Sequence, residues 1–198
     1  YPGGAVLNIY DEIFKQDKFK HVLVRHEQAA VHAADAYSRS SQRIGVCLVT
    51  SGPGVTNGVS AIAQAQFAGS PMVVVGGRAP ANRWGSGSLQ ELDQPPIVAS
   101  VSKLASTLHT AGDVLGGMDT AFHAAGSSHR GPVFVDIPMD EFFNASSGPA
   151  PTRSCTWSRA PGTCSENSLT RTSASGRTLT SSTVSGRGAS YVTRSRAA

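Results

Sequence analysis

Glu27 is the residue with the clearest chemical prospect in this chain of 198 residues. It stands in Arg25-His26-Glu27-Gln28, directly after the apolar run His21-Val22-Leu23-Val24, and a helical pattern follows from Ala29 to Arg39. A carboxylate at the carboxyl end of a strand, opening a helix, lies where open α/β sheets place their ligands. Two glycine-rich turns, Pro2-Gly3-Gly4 and Ser51-Gly52-Pro53-Gly54, fall on the same edge if the sheet is parallel. Each feature also has a plain reading. Acids in the first turn of a helix favour its dipole without any other role, and a strand-end arginine such as Arg25 is usually a surface or ion-pairing residue. Glycines after a strand make a tight turn, and free amides at the following helix start could meet an anionic or polar ligand. Ser51-Gly52-Pro53-Gly54 is neither a Walker A sequence nor a dinucleotide fingerprint, so spacing alone assigns it no phosphate. Asn57, one turn further, could cap the helix or point into the cleft. Gln90 could offer an uncharged amide to a substrate or be an ordinary polar residue at a helix start. His32, His109, His123 and His129 have no metal-ligand spacing, and no metal site is assigned.

These residues need elements to hold them. A helical apolar stripe covers residues 5–14, carried by Val6, Leu7, Ile9, Tyr10, Ile13 and Phe14. Short runs rich in Val or Ile at 22–25, 44–50, 72–76 and 133–137 read as strands buried on both faces of a parallel sheet. Helical stretches at 27–40, 55–67 and 112–125 lie between them. Strand alternating with helix predicts an α/β fold, a parallel sheet flanked by helices, followed by an irregular C-terminal tail. Residues 78–88, which include Trp84, carry Gly, Pro, Asn and Ser without periodicity and predict a long surface loop of the kind that lines sites.

Composition divides the chain into a globular part, residues 1–144, and a tail, 145–198. The overall apolar fraction, 39%, is below the globular norm because the tail is built from Ser, Thr, Arg, Gly and Ala. The tail has seven arginines against one acid, Glu166, or +6; the net charge of +4 therefore leaves −2 for the globular part. The basic balance belongs to the tail and is no nucleic-acid footprint on the folded part. Such a tail buries too little apolar surface to offset its ordering entropy. It reads either as a disordered basic tail or as out-of-frame translation, and no function is assigned to it. Cys47 lies in an apolar run and reads as a buried structural thiol, whereas Cys155 and Cys164 lie in the tail without a metal pattern. No run is long enough to cross a bilayer and no signal peptide is present, so a cytoplasmic protein without membrane contact is expected. The chain opens on a turn that should follow something, which predicts a missing start.

Four segments occur in order: Tyr1-Pro2-Gly3-Gly4-Ala5-Val6-Leu7, Val24-Arg25-His26-Glu27-Gln28, His32-Ala33-Ala34, and Thr50-Ser51-Gly52-Pro53-Gly54-Val55-Thr56-Asn57. Together they resemble the N-terminal pyrimidine-binding domain of thiamine-diphosphate enzymes, closest to acetolactate synthase (acetohydroxyacid synthase) large subunits. Residues 77–81, Trp84 and Gly87-Ser88-Leu89-Gln90-Glu91 resemble the acetolactate-synthase-like proteins of actinobacteria, and the likeness covers residues 1–143. The resemblance implies that Glu27 contacts N1′ of the cofactor's aminopyrimidine, favouring the imino tautomer that deprotonates the thiazolium. It implies that Pro2, Gly3, Gly4, Pro53 and Asn57 line the pyrimidine pocket and that Gln90 faces the reacting carbon and the substrate. The carboxyl works best where desolvation disfavours its charge, so burial must outweigh the helix start.

The resemblance has gaps. The strand and helix that precede the Tyr-Pro-Gly-Gly turn in the family are absent, and the first strand is expected to be missing. No Gly-Asp-Gly motif, which binds Mg²⁺ and the diphosphate in relatives, appears; Ala111-Gly112-Asp113-Val114 and Gly116-Gly117-Met118-Asp119 both lack the second glycine. The FAD-carrying middle domain is also absent, and Arg130 matches the flavin-contacting arginine one position out of place, which counts against FAD. The expectation is a fragment of an enzyme that decarboxylates pyruvate and ligates the product to a 2-oxo acid. Such a fragment would be inactive alone, and its full-length parent a homodimer or homotetramer. One alternative is a fragment of a 2-hydroxyacyl-CoA lyase or oxalyl-CoA decarboxylase; Glu27 argues against a glyoxylate carboligase. Another is a non-enzymatic truncated interaction module.

Overall fold

The computed structural model describes residues 2–143, 170–172 and 178–180. Expectations for the tail, including Cys155 and Cys164, lie outside the described residues, apart from a short antiparallel ribbon of backbone pairing Thr170 with Thr180. The chain divides into two compact units, Tyr1–Arg153 and Ser154–Ala198. The first holds the parallel sheet and every candidate site residue.

After a 3-10 turn at Gly4–Val6, the main elements of the first unit are α1 (Leu7–Phe14), α2 (Glu27–Ser41), β1 (Gly45–Val49), α3 (Pro53–Ala68), β2 (Met72–Arg78), α4 (Gln94–Val98), β3 (Leu104–Thr107), α5 (Ala111–Gly126) and β4 (Pro132–Pro138). The four strands are parallel in the order β1-β2-β4-β3. In register, Val46 pairs with Val73 and Val73 with Val133. β2 and β4 are buried along their whole length, which is why they read as continuous apolar runs.

Two apolar layers sandwich this sheet. On one face Val31 and Ala34 of α2, Val55, Ile62 and Ala65 of α3, and Val98 of α4 pack on Val49, Met72, Val74 and Phe134. On the other, Ala121 and Ala125 of α5 pack on Val73, Val75, Val133 and Val135. Close approach fixes the first layer: a Cβ on Gly45 would stand 2.2 Å from the Ala34 carbonyl oxygen, so only glycine lets α2 lie this near β1. Cys47 is buried there, and burial, helped by the Glu27 charge, pushes its thiol up to about 12. Among the described residues no helix is long and apolar enough to cross a membrane.

Three expectations need correction. The run at 22–25 is not a strand: residues 21–24 have no regular structure, and Val22 and Leu23 are 67% and 63% exposed. An apolar run becomes a strand only where a neighbour takes its backbone hydrogen bonds, and none of the four strands pairs with it. The segment is instead anchored locally by Tyr10, whose ring meets His21 edge-on at 5.2 Å. The predicted loop at 78–88 starts too early, because β2 continues through Arg78 and both Arg78 and Ala79 are buried. Two elements were not expected: α4, which begins with Gln-Pro-Pro, and the edge strand β3, half-buried throughout and therefore lacking a clear apolar signal.

Candidate functional site

Glu27 is the first residue of α2. His26 before it is extended, and its Nδ1 accepts the Gln28 backbone N–H at 3.2 Å, so the imidazole caps the helix. Glu27, the next residue, is turned inward and only 5% exposed. Asn57 of α3 donates its side-chain N–H to Glu27 Oε2 at 3.0 Å, a bond made possible by the close packing of α2 on α3.

Burial is the largest influence on Glu27 and raises its pKa. Hydrogen bonds from Asn57 and from the Glu27 backbone amide oppose burial, and the carboxyl lies below its ordinary value. The expectation that burial must win is thus not met in this arrangement, because a buried carboxylate that accepts several N–H bonds is stabilised in its charged form.

Beside it, two glycine turns cradle the Thr50 side chain. A Cβ on Gly3 would fall 2.1 Å from Thr50 Oγ1, and one on Gly54 would fall 2.7 Å from Thr50 Cγ2 and 3.9 Å from Glu27 Cγ. Both glycine turns therefore converge on Thr50, at the carboxyl end of β1. Thr50 Oγ1 is buried with no hydrogen-bond partner. A buried polar atom without a partner is uncommon and marks a place for a ligand atom or water. An inward carboxyl beside a buried, unpartnered hydroxyl can meet a ligand through hydrogen bonds.

The second turn brings in Gln90. Gly52 takes φ +60°, and a Cβ there would stand 2.9 Å from the Gln90 carbonyl oxygen. Gln90 itself takes φ +61°, a conformation costing a non-glycine residue roughly 1–2 kcal/mol. Strain of this kind persists where the surroundings over-determine the backbone. Ser51 Oγ donates to Gln90 Oε1 at 3.2 Å, which leaves the NH₂ of that amide as the end directed elsewhere. The loop before Gln90 is organised by acids: Glu91 accepts the Gly85 and Ser88 amides at 2.9 and 3.1 Å, and Asp140 accepts those of Ala81 and Asn82.

Of the sequence-predicted residues, the structure pairs Glu27 with Asn57, sets Gly3 against Thr50, and sets Gln90 against Gly52. Pro2 and Gly4 flank Gly3 and are exposed; Pro53 is exposed in the first turn of α3. Thr50, Ser51 and Gln94 were missed as contributors. Thr50 and Ser51 precede the glycines directly, so their position was a signal; Gln94 gave none. Among the described residues no cluster of His, Cys, Asp or Glu could hold a metal ion.

The family model described as "Thiamine pyrophosphate enzyme, N-terminal TPP binding domain" matches residues 1–97. The acetolactate synthase large subunit IlvG of Mycobacterium tuberculosis is 47% identical over 145 residues, covering 73% of this chain and 26% of that protein. The acetolactate synthase large subunit of Haemophilus influenzae is 46% identical over 140 residues, 71% of this chain and 24% of that protein. That of Corynebacterium glutamicum is 44% identical over 139 residues, 70% and 22%. The chain thus spans about a quarter of the length of these relatives.

Proposed function

From the premise that this chain belongs to the thiamine pyrophosphate enzymes, whose N-terminal TPP binding domain its residues 1–97 match, we propose that it supplies the pyrimidine-binding part of an acetolactate-synthase-like enzyme. Its substrates in that reading are 2-oxo acids, its cofactor is thiamine diphosphate, and the complete enzyme is a homodimer or homotetramer. The observation that carries the reading is the buried Glu27 carboxyl, bonded to Asn57 beside the Gly3–Thr50–Gly54 cradle.

When bound, thiamine diphosphate supplies an acidic thiazolium carbon and an electron sink. Glu27 would hold a proton against the ring nitrogen. Because burial is already the largest influence on it, covering the carboxyl further moves its pKa upward, toward proton sharing. Asn57 orients the carboxyl through Oε2. Gly3 and Gly54 let Thr50 lie close beside the carboxyl, and Thr50 would offer the ring a hydroxyl. Gln90, with its Oε1 turned to Ser51, presents an N–H donor to a substrate carboxylate or carbonyl.

Replacing the corresponding stretch of a full-length relative with residues 2–143 tests this. Acetolactate formation is expected, with a loss on the order of 10²-fold or more for Glu27→Gln in that chimera. A folded chimera without activity, or one indifferent to Glu27→Gln, would overturn the proposal. This chain alone is expected to bind thiamine diphosphate weakly; tight Mg²⁺-dependent binding by isothermal titration would refute the half-site reading.

A further inference from the structure

Gln94 is fully buried, and its amide uses three of its hydrogen-bonding positions on three different elements. Oε1 accepts the Gly52 backbone N–H at 2.7 Å. Nε2 donates to the Gly77 carbonyl of β2 at 2.9 Å and to Asp136 Oδ2 of β4 at 2.7 Å. A flipped amide would set NH₂ against N–H and oxygen against two oxygens, so the partners dictate the orientation. The same Asp136 oxygen accepts Arg78 Nη1 at 3.0 Å, while Arg78 Nη2 reaches Asp93, the residue before Gln94, at 2.9 Å. Trp84 covers the guanidinium at 4.1 Å. Arg78, Asp136, Gln94 and Asp93 thus form a closed ring that spans the carboxyl ends of the two central strands.

We propose that Gln94 is a positioning residue for the candidate site: it ties the 51–54 turn to the sheet and thereby sets Gln90 toward the substrate. This rests on the role proposed for Gln90. Gly52, at φ +60°, packs against the Gln90 backbone, and its N–H is the atom Gln94 holds. The next residue back, Ser51, orients the Gln90 amide. Any movement of Gly52 therefore reaches Gln90 through both a backbone contact and a hydrogen bond. The ring holds Gln94 in turn, because the Arg78 guanidinium fixes and compensates the buried Asp136 carboxylate that accepts the Gln94 N–H.

NMR on the ligand-free 198-residue chain tests the proposal without depending on catalysis. A through-hydrogen-bond coupling from the Gly52 amide to the Gln94 side-chain carbonyl is expected in the unaltered chain; its absence would overturn the proposal without any variant. In Gln94→Leu the Gly52 amide should exchange about tenfold faster or more, and the Gln90 side-chain amide resonances should shift, while the amides of Val73 to Val75 keep their protection. Gln94→Glu, nearly equal in volume, should restore the Gln90 resonances only at low pH, where its protonated carboxyl can donate to Asp136 as the amide did. Uniform loss of protection across the sheet, or unmoved Gln90 resonances, would reduce Gln94 to a packing residue and sink the proposal. Failure of thiamine diphosphate to perturb the chimera would count against the function and leave these readouts standing.

Discussion

Two turns feed the site, and they are held in different ways. The turn at 51–54 follows a paired strand, β1, and is bound to the sheet through Gln94. The turn at 25–27 follows residues that pair with nothing among the described strands; its order comes from α2 itself, through the His26 cap and the Asn57 bond to α3. One turn inherits the rigidity of the sheet. The other rests on a helix start and on side-chain hydrogen bonds between α2 and α3, Asn57 to Glu27 and Gln28 to Ser60. A buried carboxyl can thus be fixed from behind by its own helix, without a strand leading into it.

The most severe way to break the sheet-held turn is Gly52→Ala. The new Cβ meets the Gln90 carbonyl at 2.9 Å on a backbone at φ +60°. Left-handed strain and overpacking together should cost about 3 kcal/mol, read as a lowered midpoint in urea denaturation. A cost below that of removing the Asn57 bond to Glu27 would mean that the sheet gives its turn no added rigidity.

Asn57→Ala breaks the helix-held turn. It leaves the buried Glu27 carboxylate without one of its donors and should cost about 1 kcal/mol at neutral pH. The sign of the pH dependence follows from the lowered pKa of Glu27. Its contribution is fully present above the ordinary value of 4.5 and is lost as the pH falls below that, through the lower folded value. Asn57→Ala should therefore flatten the acid limb of the stability curve, and Glu27→Gln should remove that part of it. An acid limb unchanged in both variants would show that other carboxylates, such as Asp35, carry it. Asp35 is buried too, which raises its pKa, and it is brought below its usual value by Arg39 and Ser70.

Most of this fold was legible in the sequence where both faces of an element are covered. β2 and β4 are buried throughout and apolar except for Arg78 and Asp136 because helices lie on either side, and α5 buries a single face. β3 was illegible because Leu-Ala-Ser-Thr at a half-exposed edge has no pattern, and α4 because two prolines open it. Residues 22–25 misled for the opposite reason: their composition is that of a strand, but a strand is a relation to neighbours, which composition does not contain. In the site, the order of the segments pointed to Glu27, Asn57, Gln90 and the glycines. Gln94 was invisible, since an amide that joins three backbone or carboxylate partners across 42 residues of separation looks like any surface glutamine in one dimension.

His26→Ala makes a smaller change to the helix-held turn. The imidazole accepts only the Gln28 amide and is exposed, so its removal should cost about 0.5 kcal/mol by the scale of helix caps. Thermal unfolding would register this as a shift of a few degrees at most. A much larger loss would mean that the cap also sets how far Glu27 turns inward.

The smallest effect should come from the unpaired segment itself. Val22→Ser and Leu23→Ser each remove apolar surface that is already in water, so in this chain each should change stability by less than about 0.5 kcal/mol. The same substitutions at Val73 or Val74, wholly buried in β2, would each cost several times more. Inserted into a full-length relative, Val22→Ser becomes the sharper experiment. A loss there of about 1.5 kcal/mol or more, with none in this chain, would show that residues 21–24 acquire a sheet neighbour from chain beyond these residues. The turn before Glu27 would then be sheet-held in the complete enzyme, and the contrast between the two turns would be a property of this chain alone. Equal indifference in both proteins would make the helix start sufficient to place the carboxyl.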